Sequence, residues 1–251
     1  MSARFVDLPF APASADTGER EGRWVREGIR EFGSSVSALL PDSLPGYARI
    51  LHPAWREVHG TARQVSWAEV AGANGRKAHR LMQWPGITGI GDLDQWQLGQ
   101  AKVYDEEPLL GSLPTEVARP LVEILAKHTE TPESCLFGLW HGYGGALQQL
   151  PRDAEIELPH RKLWLYQARV QDATASFTDG SGPEHQSANL WWPSDQAWCV
   201  ATDIDLASSY VGGSAELIAA LLDSPDLEAV DAYLADPIHL RADTVNPYPE
   251  L

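Results

Sequence analysis

One stretch, residues 187–222 (SANLWWPSDQAWCVATDIDLASSYVGGSAELIAALL), constrains this chain more than any other, because it specifies a hairpin, a turn and a helix in immediate succession. Residues 188–192 and 197–203 are apolar, aromatic and β-branched runs. Between them lies Pro193-Ser194-Asp195-Gln196, a turn composition in which proline presets φ. The pattern predicts an antiparallel β-hairpin. Beyond Asp205 and Tyr210, the pair Gly212-Gly213 predicts a tight reversal with positive φ, and Ser214 is placed to cap a helix. The stripe Leu217, Ile218, Leu221 and Leu222 of that helix has to be laid on a neighbouring sheet. An anion held at the helix start is the rival role for the glycines. Against it, Glu216 already places a negative charge in the first turn.

Before this unit the chain divides by its punctuation. Residues 1–22 are rich in Ala, Pro, Ser, Asp and Glu and predict a flexible N-terminal arm, pinned locally by Phe5, Leu8 and Phe10. A single domain is expected over residues 23–251, opening with Trp24, Val25, Ile29 and Phe32. Strands are expected at 35–40 and 47–52, on either side of a segment whose prolines exclude a helix. Ser66-Trp67-Ala68-Glu69 fits a capping box and starts a short helix that stops near Asn74-Gly75. Residues 76–108 read as an irregular excursion broken by Pro85, Gly86, Gly89 and Gly91, with Trp84, Ile87, Ile90, Trp96 and Leu98 available for burial.

The longest helical pattern, residues 113–128, carries Val117, Leu121, Ile124 and Leu125 on one stripe, with Pro120 expected to kink or split it. Residues 136–141, 156–158 and 163–170 read as strands, and the polar segment 172–186 as a surface loop or a disordered stretch. From Ser224 the tail repeats Leu227, Val230 and Leu234 at helical spacing, and beyond Pro237 it is expected to wrap the surface. The fold class that follows is α+β. An antiparallel sheet contains residues 136–141, 163–170, 188–192 and 197–203, and helices at 113–128 and 214–222 pack mainly on one face.

Charge narrows the classes of partner. The 251 residues carry a formal net charge of −16, which opposes binding to nucleic acid or to an anionic membrane surface and permits a basic protein partner. No stretch has the length of a membrane span, and no apolar core of a leader peptide is evident, so a cytoplasmic location is expected. Cys135 and Cys199 stand far apart in strand-like surroundings, as buried free thiols do, and no metal or cofactor is implied by any spacing.

The candidates for chemistry are individual residues. Asp203 and Asp205, two apart, share a strand face and suit cation or acid/base work; the plainer role is an Asx turn at a strand end. His141 ends a strand beside Gly142, Tyr143, Gly144 and Gly145, where a backbone can approach a ligand. His52 lies in Tyr47-Ala48-Arg49-Ile50-Leu51-His52-Pro53-Ala54-Trp55-Arg56, and His160 in Pro159-His160-Arg161. These two cation-bearing segments suit either an anionic ligand or internal carboxylate pairing. Trp191 and Trp192 must point to opposite faces. One of them, with Tyr143, is therefore a candidate binding aromatic unless another element covers it.

The segments YARILHPAWR, VSWAEVAGANG, CLFGLWHGYG and SANLWWPSDQAWCVATDIDLASSYVGGS, in this order, resemble a family of uncharacterised acidic proteins of high-GC Gram-positive bacteria, over residues 31–222. In order of elements and in acidity the chain is also similar to the SUKH superfamily, whose bacterial members are often immunity proteins against toxins. That likeness implies a non-catalytic protein that binds a basic partner. The competing expectation is an enzyme or small-ligand binder with a cleft near His52, His141, His160 and Asp203, and convergence of those side chains in one pocket separates the two.

Overall fold

The computed structural model describes residues 8–29, 31–90, 103–178 and 184–246. In chain order its elements are β1 (Ala11–Pro12), α1 (Ala15–Gly28), β2 (Gly46–Leu51), β3 (Ala54–Val58), β4 (Thr61–Val65), α2 (Trp67–Ala73), α3 (Trp84–Thr88), α4 (Thr115–Leu125), β5 (Cys135–Trp140), β6 (Glu155–Leu158), β7 (Arg161–Ala168), β8 (Leu190–Pro193), β9 (Trp198–Ala201), β10 (Ser208–Gly213), α5 (Ala215–Leu222) and β11 (Ala229–Ala232). Among the described residues, nine strands form one sheet in the order β1-β7-β5-β8-β9-β10-β2-β11, with β6 also on β7. All its pairings are antiparallel, which makes this an α+β fold, and β3 and β4 form a separate ribbon.

The expected hairpin is β8–β9, in the middle of the sheet, with Trp191 opposite Val200. Its turn is clamped from outside by Asp195, whose carboxylate accepts from Thr129 Oγ1 at 2.8 Å and the Glu130 N–H at 2.6 Å. The two helices read from apolar stripes share one face of the sheet. Val117, Leu121 and Leu125 of α4 and Leu217 and Leu221 of α5 pack with Phe137, Trp191, Val200 and Val211. Ser66 and Ser214 both cap as expected, accepting from the N–H groups of Glu69 and Leu217. Glu69 departs from the reciprocal box and pairs with Arg63 at 2.8 Å instead.

The opposite face is not open. Val25 of α1 and the adjoining Ile29, with Leu39 and Leu40, cover Leu136, Leu165, Trp192 and Cys199, so a helix lies on this face too. The arm expected over residues 1–22 is in part this helix. Its inner stripe includes Gly18 and Gly22, which give no hydrophobic signal but let the helix lie close to β6. A Cβ on Gly18 would stand 2.9 Å from Ala154 Cβ, and one on Gly22 3.1 Å from Ile156 Cδ1. Ser14 caps α1 by accepting from the Thr17 N–H.

Four further expectations change. Residues 35–40 hold a short 3-10 turn, Val36–Ala38, not a strand. Of the tail read as helical, the part with Val230 forms β11 beside β2, because a strand ladder at the sheet's end outweighs a helical spacing of three residues. Within the polar segment 172–186, Phe177 is buried and stacks on Phe10 at 4.1 Å. Finally, α4 is not split at Pro120, since the ladder bond that proline removes would have gone to Glu116, on the exposed side. Of the residues expected to be buried in the 76–108 excursion, Trp84 and Ile87 are. Trp96 and Leu98 lie outside the described residues.

Gly212 and Gly213 do not form the reversal either. Both lie within β10 and neither has positive φ. What they supply is space: a Cβ on Gly213 would meet Leu217 Cδ2 at 2.5 Å and Trp198 Cβ at 3.3 Å, both in fully buried residues. Gly213→Ala is therefore expected to lower stability by about 1–3 kcal/mol through overpacking, measured by urea denaturation. An unchanged midpoint would show that α5 is free to move away.

Candidate functional site

The sequence candidates do not converge. His52, at the end of β2, is 0% exposed. Its Nδ1 stands 2.8 Å from the Leu109 carbonyl, which only accepts, so Nδ1 carries the proton and Nε2 accepts from Ser209 Oγ at 2.9 Å. Ser209 Oγ lies 2.6 Å from Thr202 Oγ1. This is the hydrogen-bond order of a nucleophile and its base, yet Ser209, Thr202 and His52 are all without solvent access. A sealed nucleophile reaches no substrate, and the trio is a core network.

His141 is exposed at the end of β5, its ring edge-on to Trp164 at 5.1 Å. His160 sits at φ 56° in the β6–β7 turn against Phe32. Asp203 takes the plainer role, accepting the Asp205 N–H at 3.2 Å in an Asx turn and pairing with Arg161 at 3.3 Å. Tyr143 is half-buried, its hydroxyl accepting from Gln186 and Asn189 at 2.9 and 3.0 Å. Trp191 and Trp192 do point to opposite faces, but both are buried, so the exposed binding aromatic expected there is absent. Among the described residues no group of three or more His, Cys, Asp or Glu side chains is placed to hold a metal ion, and no helix is long and apolar enough to cross a membrane.

The cleft lies elsewhere. On the sheet face presenting Tyr47 and Arg49, the ribbon β3–β4 with α2 and α3 builds a small lobe around Leu51, Val65, Trp67, Val70, Trp84 and Ile87. Between this lobe and the sheet is a cavity of about 620 Å³; of the single residues put forward from the sequence Asp205 lines it, and so does Arg49 of the 47–56 segment. Its polar base is Arg49 and Ser208, and Trp67, Trp84 and Pro85 supply one wall. Glu107, Pro108 and Leu110 form a second wall, and Ile238, His239, Leu240 and Arg241 from the C-terminal strap a third. The rim is apolar as well as charged, Leu110 being 58% and Leu240 38% exposed.

Each wall has a local reason. Gly111, at φ 74°, brings the 107–110 segment down on the β9–β10 connection, where its N–H donates to the Leu206 carbonyl at 3.0 Å. A Cβ there would be 2.5 Å from the Ile204 carbonyl oxygen, a close approach that requires glycine. The strap is anchored by Asp243, which accepts from His79 Nε2 at 2.9 Å and from the Val245 and Asn246 N–H groups at 3.0 and 2.7 Å. Trp67 is fixed by its own indole, donating to the His52 carbonyl at 2.7 Å.

Arg49 is the unusual member. It stands on an inner strand and is 4% exposed. All of its hydrogen-bond partners are neutral: Ser208 Oγ at 3.0 Å, the Met82 carbonyl at 2.8 Å and Gln83 Oε1 at 3.5 Å. Its guanidinium lies over the Trp67 ring at 5.2 Å and the Tyr210 ring at 5.9 Å. Among the described residues no carboxylate stands within ion-pair distance of it. Glu228 feels its charge, but burial raises that carboxyl above its usual range. Both Glu228 oxygens are also taken, by the Trp67 and Ala68 N–H groups at the start of α2. Burial likewise raises the Glu107 carboxyl.

The sequence pointed to the Tyr47–Arg56 and Pro159–Arg161 segments as anion sites or internal pairs without dividing them. Arg161 is the internal pair and Arg49 is not. Trp67, Trp84 and Glu107 were missed as site residues, and Trp67 gave only a helix-start signal. Comparison with protein-family models, with curated proteins and with solved structures finds no match to the chain.

Proposed function

We propose that the protein is a non-catalytic small-molecule binder whose site is the cleft over Arg49. The observation that carries this reading is a buried guanidinium with only neutral partners at the base of a cavity of about 620 Å³, a size within the range of small-ligand pockets. A buried charge lacking its counter-charge costs several kcal/mol, and contacts with Trp67 and Tyr210 return only about 0.5–2 kcal/mol each. The apolar walls and rim supply the rest of what a ligand needs. Of the residues read from the sequence as catalytic, His52 is sealed in the core, Asp203 pairs with Arg161, and only Asp205 reaches the cleft.

A ligand that binds only the folded state raises its stability, by about 2.7 kcal/mol at a hundred times its Kd. Thermal denaturation against a fragment collection is expected to give stabilising compounds that lose their effect in Ala207→Phe, which fills the cleft. Compounds equally effective on that variant would place binding elsewhere and overturn the reading. The formal charge of −16 favours a second reading, an acidic, immunity-like protein that takes a basic protein partner. With Trp191 and Trp192 buried, that reading rests on charge alone.

A further inference from the structure

We infer that the occupant of the Arg49 cleft is a singly charged organic carboxylate carried on a flat apolar ring; this rests on the cleft being a ligand site. A guanidinium has five N–H groups. Arg49 spends one from Nε on Ser208, one from Nη1 on Met82 and one from Nη2, at the outer limit of 3.5 Å, on Gln83. One N–H on each terminal nitrogen is therefore without a partner among the described residues. Two donors on one planar fork match the two oxygens of a carboxylate, which makes parallel bonds to such a fork.

The body of the ligand follows from the walls. Trp67 and Trp84, with centroids 5.3 Å apart and planes tilted by 60°, stand with Pro85, Leu206 and Ile238 around the same space. Rings prefer offset or edge-on neighbours of this kind. The limit of one charge follows from the opposite side. Glu107 and Asp205 line the cleft too, as do the exposed His239 and Arg241 of the strap; the two carboxyl groups offset the solvated Arg241, so a dianion such as a phosphate monoester would find only one buried cation. An amine is opposed by Arg49 itself.

The test uses the intact chain and three probes of one shape, 2-naphthoate, 2-naphthamide and 2-naphthyl phosphate, titrated calorimetrically at pH 7. The expected result is naphthoate binding at least tenfold more tightly than the amide and the phosphate. In Arg49→Met, the carboxylate and amide should fall within threefold of each other. Equal binding of carboxylate and amide to the wild type would overturn the carboxylate assignment while leaving the cleft as a binding site. Tighter binding of the phosphate would overturn the limit of one charge. Absence of binding by all three at millimolar concentration would sink the inference and the ligand-site reading together. The comparison of probes on the wild type decides the matter even if Arg49→Met does not fold.

Discussion

Trp192→Ala is expected to lower the free energy of unfolding by about 3–5 kcal/mol, the range for emptying a buried aromatic site. Trp192 has no exposed surface, and its indole donates to the Glu21 carbonyl at 3.1 Å. Its ring meets Trp24 edge-on at 6.5 Å beneath α1. Truncation would leave a cavity between α1 and the sheet that a helix fixed by its close contact with β6 has little freedom to fill. Trp192→Phe keeps most of the volume and loses the indole hydrogen bond, a net effect of about 1 kcal/mol plus a small cavity. Urea denaturation of both variants is the measurement. A loss below about 1 kcal/mol for Trp192→Ala would show that the residue is peripheral, as a binding aromatic would be.

Acid is expected to destabilise the protein through His52. Burial lowers its pKa from 6.5 to about 4; the bond to the Leu109 carbonyl works against this and the nearby Arg49 charge adds to it. The unfolded chain takes up a proton below pH 6.5 that the folded chain refuses until about pH 4. The stability is therefore fully present above pH 6.5, falls as the pH drops from there, and is gone below about pH 4. The whole effect is about 3 kcal/mol, of which about 2 kcal/mol is lost by pH 5. Denaturation of the wild type and His52→Gln at pH 7 and pH 5 tests this, since other titrating groups are common to both chains. The wild type should lose about 2 kcal/mol more than the variant; parallel losses would mean that His52 accepts its proton in the folded state. The same experiment bears on the Ser209–His52 pair, because a base kept neutral down to that pH by burial is part of the core.

What the sequence could determine was what neighbours along the chain decide among themselves. The β8–β9 turn follows from Pro193 to Gln196, the starts of α2 and α5 from Ser66 and Ser214, and the stripes of α4 and α5 from the period of their leucines. Capping bonds and turn dihedrals act over a few residues, so the residues that make them are adjacent in the text. Where the decisive contact was distant, the local signal was absent or pointed the other way. The inner stripe of α1 includes glycines because β6 lies so close. The segment around Val230 became β11 because it pairs with β2, and Gly213 is small because Leu217 leans on it.

The candidate site divides in the same way. Arg49 and Arg161 look alike in sequence, each a cation in a strand-forming run. Only the tertiary structure gives Arg161 a carboxylate, Asp203, 42 residues away along the chain and leaves Arg49 with Met82, Gln83 and Ser208. Whether a buried charge is neutralised depends on which groups the fold brings within about 4 Å, and these are set by sheet order and loop path rather than by spacing. The cleft is a property of that assembly: its walls come from α2, α3, the 107–110 segment and the C-terminal strap, elements that meet only once the chain has folded.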